Sequence, residues 1–223
     1  MREEFQQDIE SIITTLAATA AVCEQMLTEA VQALAAGDHR HAAEVVARDS
    51  EVDDAYQQVQ RSVLGLLALQ SPVARDLRSL TAVLNVNIHV ERMGDYAVHV
   101  ARAARDVPLH ADPALLHALE AMSVDAVEVS RTALQSFVDR DAKLAGQLST
   151  LDDRVDGHNV EIIELLLSPG RTERADLEWA TRMLMVARAV ERFADHAVDI
   201  GEQTVFCVTG EAVEFSSNEP RPA

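Results

Sequence analysis

Little in this chain of 223 residues would stop a helix. Glycine occurs 8 times, proline 6 times, and aromatic residues make up 4%. Ala, Leu, Val, Glu, Gln and Arg dominate instead, and good helix formers with few breakers give an α-rich fold. Positive charge is also scarce: 19 Lys and Arg face 37 Asp and Glu, a net charge of −18. No basic stripe offsets this, which excludes nucleic acid and anionic membranes as direct partners and leaves cations and basic protein surfaces. The two cysteines, Cys23 and Cys207, stand in no motif and read as small buried hydrophobes in a reducing cytosol. The start, Met1-Arg2-Glu3-Glu4-Phe5, is too acidic for a signal peptide. No apolar stretch is expected to reach the roughly 18 residues that span a bilayer. A cytoplasmic protein that meets the membrane only through partners is the expectation.

Enzyme motifs are missing as well. There is no Glu-x-x-His, so a ferritin-like di-iron site lacks its usual ligands. G-x-G-x-x-G, Walker A and His-Glu-x-x-His motifs are absent too. Trp179 and the methionines Met26, Met93, Met122, Met183 and Met185 fall at helical spacing and read as core.

The few breakers are regularly placed. Gly37-Asp38, Ser71-Pro72 and Pro108 to Pro113 close three apolar-periodic runs; Asp139-Arg140-Asp141, Ser168-Pro169-Gly170 and Gly210 close three more. Six long helices follow, over about 2–36, 39–70, 73–107, 113–138, 141–168 and 173–208, each about 40–50 Å long at ~1.5 Å per residue. Joined by tight turns, they pack as antiparallel bundles. The halves repeat. Glu91-Arg92-Met93-Gly94-Asp95-Tyr96-Ala97-Val98 recurs 100 residues later as Glu191-Arg192-Phe193-Ala194-Asp195-His196-Ala197-Val198, and Arg75-Asp76-Leu77 recurs as Ala175-Asp176-Leu177. Asp49, Val52 and Asp53 recur at an offset of 103 as Asp152, Val155 and Asp156. The expected class is all-α, with two tandem pseudo-symmetric three-helix bundles over 1–108 and 113–210 and a disordered tail over 211–223.

Residues four apart share a helix face. Glu91, Asp95 and His99 therefore form one stripe, extended by Asn87, and Glu191, Asp195 and Asp199 the matching stripe, extended by Gln203. Asp49 with Asp53, and Asp152 with Asp156, repeat the spacing on the second helix of each half. Two readings compete. One is an ordinary solvated acidic face. The other is metal binding, since like charges at i, i+4 cost roughly 0.2–0.5 kcal/mol unless neutralised. The flanks are small or apolar, and the arrangement recurs in both halves. Oxygen ligands with an imidazole at His99 lean toward Fe, Mn or Zn over Ca. Arg92 and Arg192 either pair with the Asp three residues on or present a cation to a partner.

Gln70-Ser71-Pro72-Val73-Ala74-Arg75-Asp76-Leu77-Arg78, followed by the Glu91 and Glu191 motifs, resembles the PhoU family over roughly residues 5–210. The resemblance implies two three-helix bundles with multinuclear metal clusters on Glu91, Asp95, Glu191 and Asp195, faced by Asp49, Asp53, Asp152 and Asp156. Iron leads the implied metals, with zinc, manganese and magnesium as alternatives. It further implies a non-catalytic homodimeric adaptor. Such a protein links the ATPase subunit of a phosphate ABC transporter to a sensor histidine kinase and represses the starvation response in high phosphate. His99 and Asp199 stand where many relatives have Asn, and Tyr96 where His is commoner. A carboxylate-bridged metalloenzyme is the competing function.

Overall fold

The computed structural model describes residues 2–106, 112–167 and 174–215. Among the described residues there are eight helices and no strand: α1 (Arg2–Ala36), α2 (His39–Ala47), α3 (Asp49–Gln70), α4 (Arg75–Asp106), α5 (Pro113–Asp139), α6 (Ala142–Ala145), α7 (Leu148–Leu166) and α8 (Arg174–Thr209). They follow the six expected stretches, with the second and fifth each broken once. Asp38, Asp112 and Asp141 cap α2, α5 and α6, their carboxylates accepting from backbone N–H groups of the first turn. Gly37 and Gly210 close α1 and α8 with left-handed backbone, φ 65° and 84°.

The break after Ala47 has no glycine or proline to announce it. Arg48 caps both helices there, its guanidinium held by Glu29 (3.0 Å) and Gln25 (3.2 Å) of α1. In the fifth stretch the chain turns at Gly146 and Gln147 before α7 begins.

In the first half α1, α2–α3 and α4 pack together, and in the second α5, α6–α7 and α8. The halves join along α4 against α8 and α1 against α5. Ser79 meets Cys207 (3.7 Å), Asn85 donates to Gln203 (2.9 Å) and His89 meets His196 (3.2 Å), so α4 and α8 run antiparallel. With the repeat offset of 100, this crossing is a local pseudo-two-fold axis. One continuous apolar core serves both halves, from Ile9, Leu16 and Leu27 to Met122, Val190 and Phe193.

Two expectations are corrected. Residues 3–36 do have the length and apolar content of a membrane span. Their apolar face, Phe5, Ile9, Ile12, Leu16, Ala20 and Cys23, is nevertheless buried at helical spacing in the core. The chain also stays ordered past Gly210. Phe215 packs against the core, and its N–H donates to Glu202 (2.6 Å). The rest of the expected tail (216–223), the Ser168-Pro169-Gly170 break, and 108–111 of the Pro108 to Pro113 break lie outside the described residues.

Candidate functional site

The repeated carboxylates come from α3 and α4 in the first half and from α7 and α8 in the second. Asp49 is the first residue of α3, where the break at Arg48 places it at a helix N-terminus, a favourable place for an anion. Burial holds its carboxyl above the usual range, and Asp53 and Asp95 push the same way, against Arg102 and His99. Glu91 is raised by burial, then by Asp95, Asp53 and Asp49, with Arg92 opposing. Carboxylates separated by some 40 residues in sequence thus act on one another across the α3–α4 groove.

The second set is more strongly perturbed. Burial pushes the Asp152 carboxyl up to about 7, helped by Asp156, Asp195, Glu191 and Asp153. Asp156, Glu191 and Asp195 are also raised, burial being the largest cause for each, while Arg188 and Arg192 oppose the shifts. Such mutual elevation marks groups that share a confined space and lack enough counter-charge.

Arg92 pairs with Asp95 (2.9 Å), and Arg192 with Asp195 (3.3 Å), which is the i, i+3 arrangement. Arg188 Nη1 lies 2.6 Å from both oxygens of Glu191, donating to Oε1 and ion-paired with Oε2. A set of carboxylates raised together by burial and one another has the chemistry of a hard or borderline cation site, so the donor types fit a metal.

The outer members of the stripes have further partners. Asn87 is buried and donates to the Tyr56 carbonyl (3.0 Å), which ties α4 to α3, and Gln203 accepts from Asn85. His99 is exposed and sets its ring edge-on to Tyr96, 5.8 Å between centroids. Asp199 turns across the α4–α8 crossing. Its Oδ2 lies 3.3 Å from His89 Nδ1 and 3.4 Å from His196 Nδ1. Among the described residues, this trio is the group of His, Cys, Asp and Glu ligand atoms that converge within 4.8 Å. Tyr96 stacks on His196 at 5.6 Å. Burial holds the His89 imidazole below its usual value, with Asp199 opposing and His196 adding to the shift.

Each half separately matches the family described as PhoU domain, over residues 16–104 and 119–204. The chain belongs to the PhoU family. A Mycobacterium tuberculosis protein named phosphate-specific transport system accessory protein PhoU homolog 1 is 33% identical over 213 residues, 94% of this chain and 95% of that one. A homolog of the same system from Deinococcus radiodurans is 32% identical over 212 residues, covering 94% and 99%. The crystal structure of PhoU from Pseudomonas aeruginosa superposes with a TM-score of 0.85 at 25% identity, covering 93% of this chain and all of that one. A PhoU from Streptococcus pneumoniae, described as a phosphate transport system regulatory protein, gives the same TM-score at 22% identity, over 94% and 99%. The PhoU fold is thereby established along nearly the whole chain.

Sequence reasoning missed His89 and His196. Both were visible as histidines, but His89 lies outside the repeated motif and its partner is 107 residues away. Only the antiparallel crossing of α4 and α8 brings them together, and that crossing was not part of the reading.

Proposed function

We propose that this PhoU-family chain is a cytoplasmic, non-catalytic regulator of phosphate uptake whose signal passes through metal-loaded carboxylate sets and protein contacts. The observation that carries the metal reading is the pair of sets, Asp49 and Asp53 facing Glu91 and Asp95 in the first half, and Asp152 and Asp156 facing Glu191 and Asp195 in the second. Burial and mutual repulsion raise carboxyls in both. Bound cations would supply the positive charge that these groups lack, with iron the first choice and zinc, manganese or magnesium next. The residues' own part is to hold α3 against α4, and α7 against α8, in one register.

The role in phosphate uptake rests on the relatives, which are named as accessory proteins of the phosphate-specific transport system. In this reading the homodimeric adaptor contacts the transporter's ATPase subunit and a sensor histidine kinase, and represses starvation genes when phosphate is plentiful. A chain of net charge −18 acts through protein surfaces, not through DNA.

Elemental analysis of protein purified without chelators tests the metal half of this proposal. Glu91→Gln with Asp95→Asn should lose the metal of the first set alone, and Glu191→Gln with Asp195→Asn that of the second. EDTA should lower the melting temperature of the unaltered protein by several degrees, since a ligand bound only to the native state stabilises it. Metal-free protein whose melting ignores EDTA would return these residues to an ordinary acidic surface. The regulatory half is tested separately: deletion should switch starvation genes on in phosphate-rich medium, and complementation should restore repression.

A further inference from the structure

Between α4 and α8, bounded by Tyr96, lies an open groove of about 710 Å³. Four arginines line it, Arg102, Arg182, Arg188 and Arg192, in a chain whose net charge is −18. Its apolar surface comes from Met185, which is 68% exposed, and from Val186, Ala103 and Ala189. No carboxylate is among its described lining residues.

The repeat offset relates this groove to a second one on the other side of the pseudo-two-fold axis. That cleft is lined by Asn85, Glu202 and Gln203, the equivalents of Met185, Arg102 and Ala103, and also by Ala212 and Val213 of the segment after α8. The segment lies along the cleft. The Phe215 N–H donates to Glu202 (2.6 Å), and the Phe215 ring would lie 3.3 Å from a Cβ built on Gly201. The fold therefore already seats a non-helical Glu-Ala-Val-Glu-Phe strip at one of two equivalent positions.

At the open position three replacements change the chemistry. Gln203, which bridges the crevice to Asn85, becomes Ala103 facing Met185, and this opens the space. Glu202, which accepts from the bound backbone, becomes the donor Arg102. Two further arginines, Arg188 and Arg192, flank the groove while paired to Glu191 and Asp195 at its edge. A small anion would leave the apolar surface unused, and a purely apolar helix would leave the Arg102 guanidinium facing carbon. An extended segment that alternates carboxylates with apolar side chains satisfies both.

We propose that the arginine-lined groove is a docking site for an extended acidic–apolar segment of a partner protein, bound as the chain's own residues 211–215 are bound in the equivalent cleft. The site needs no metal, so it stands or falls apart from the carboxylate sets.

The test uses the full chain and, as probe, a fluorescein-labelled peptide of residues 209–215, followed by anisotropy. Saturable binding that weakens with salt is expected. Arg102→Glu should weaken it about tenfold. Met185→Asp, at an exposed position that the fold does not need, should abolish it, and melting curves check that this variant folds. Replacing both glutamates of the peptide with Gln, or its Val and Phe with Ser, should each weaken binding. The proposal is overturned if the peptide fails to bind at about 1 mM, far weaker than a specific peptide contact. It is overturned equally if the groove variants bind as the parent does, which would place the peptide in the other cleft. Displacement by inorganic phosphate at matched ionic strength, with the Val and Phe replacements neutral, would make this a small-anion site instead.

Discussion

Asp152 is half-buried beneath four other carboxylates, and its carboxyl stands at about 7, against an unfolded value of about 3.9. Between those two pH values the folded chain holds a proton on this group that the unfolded chain does not. Stability therefore falls as pH rises through the window. Asp49, Glu91, Asp156, Glu191 and Asp195 shift in the same direction and add to the slope. Metal-free protein should accordingly melt at a lower temperature at about pH 8 than at about pH 5, and Asp152→Asn should flatten the dependence. Circular dichroism melts across the range decide this; a melting temperature that climbs with pH contradicts the burial of these groups. The thiols permit a second measurement. Burial pushes Cys23 up to about 12, Glu24 adding to the shift, and Cys207 is also buried and free. Neither thiol should react with a disulfide reagent until denaturant is added. The paired carboxylates were legible from i, i+4 spacing because both members lie on one helix. The partners of Asp199 were not, because spacing along one helix says nothing about what crosses it.

At the scale of the helix, the six long stretches were legible because apolar periodicity and sparse breakers agree. The break at Arg48 was not, since it arises from a guanidinium drawn to Glu29 and Gln25 on another helix, and no local rule encodes that. The ordered residues 211–215 were missed for a related reason: a polar stretch reads as tail unless its one aromatic is known to have a place to pack. That place depends on Gly201. A Cβ there would come within 2.1 Å of Leu148 Cδ1, itself fully buried, and 3.3 Å of the Phe215 ring. Gly201→Ala should therefore cost about 1–3 kcal/mol through overpacking. It should also expose residues 211–215 to limited proteolysis, although the equivalent position in the first half is already Ala101. Proteolysis unchanged from the parent would show that the segment is held elsewhere. Between α1 and α5, the buried Glu24 accepts from Ser130 (2.7 Å) and Arg131 (3.0 Å). Glu24→Ala leaves the buried Ser130 hydroxyl without that acceptor and should cost about 1–3 kcal/mol by denaturant melts.

For the molecule as a whole, the duplicated sequence forms two tandem three-helix bundles, and their packing gives one core that runs through both. Val83, Val86 and Val90 of α4 and Val186, Val190 and Phe193 of α8 belong to the same buried cluster. Heating should then produce a single transition, with calorimetric and van't Hoff enthalpies in agreement. Two resolved transitions would mean that the halves melt independently. The repeats themselves were legible from the offset of 100, but their antiparallel join was not, because it is set by which apolar faces remain once each half has closed. The join is symmetric in backbone and unequal in protons: at neutral pH Asp152 in the second half is still about half protonated, with its carboxyl at about 7. If the sets hold metal as proposed, a cation must displace that proton before it can settle there, whereas burial raises no described first-half carboxyl as far. Loading should therefore be stepwise, with the first half filling at the lower cation concentration and the second lagging more as the solution is acidified. The chain would then behave as a two-threshold gauge, with an interval between its set points that the ambient pH adjusts.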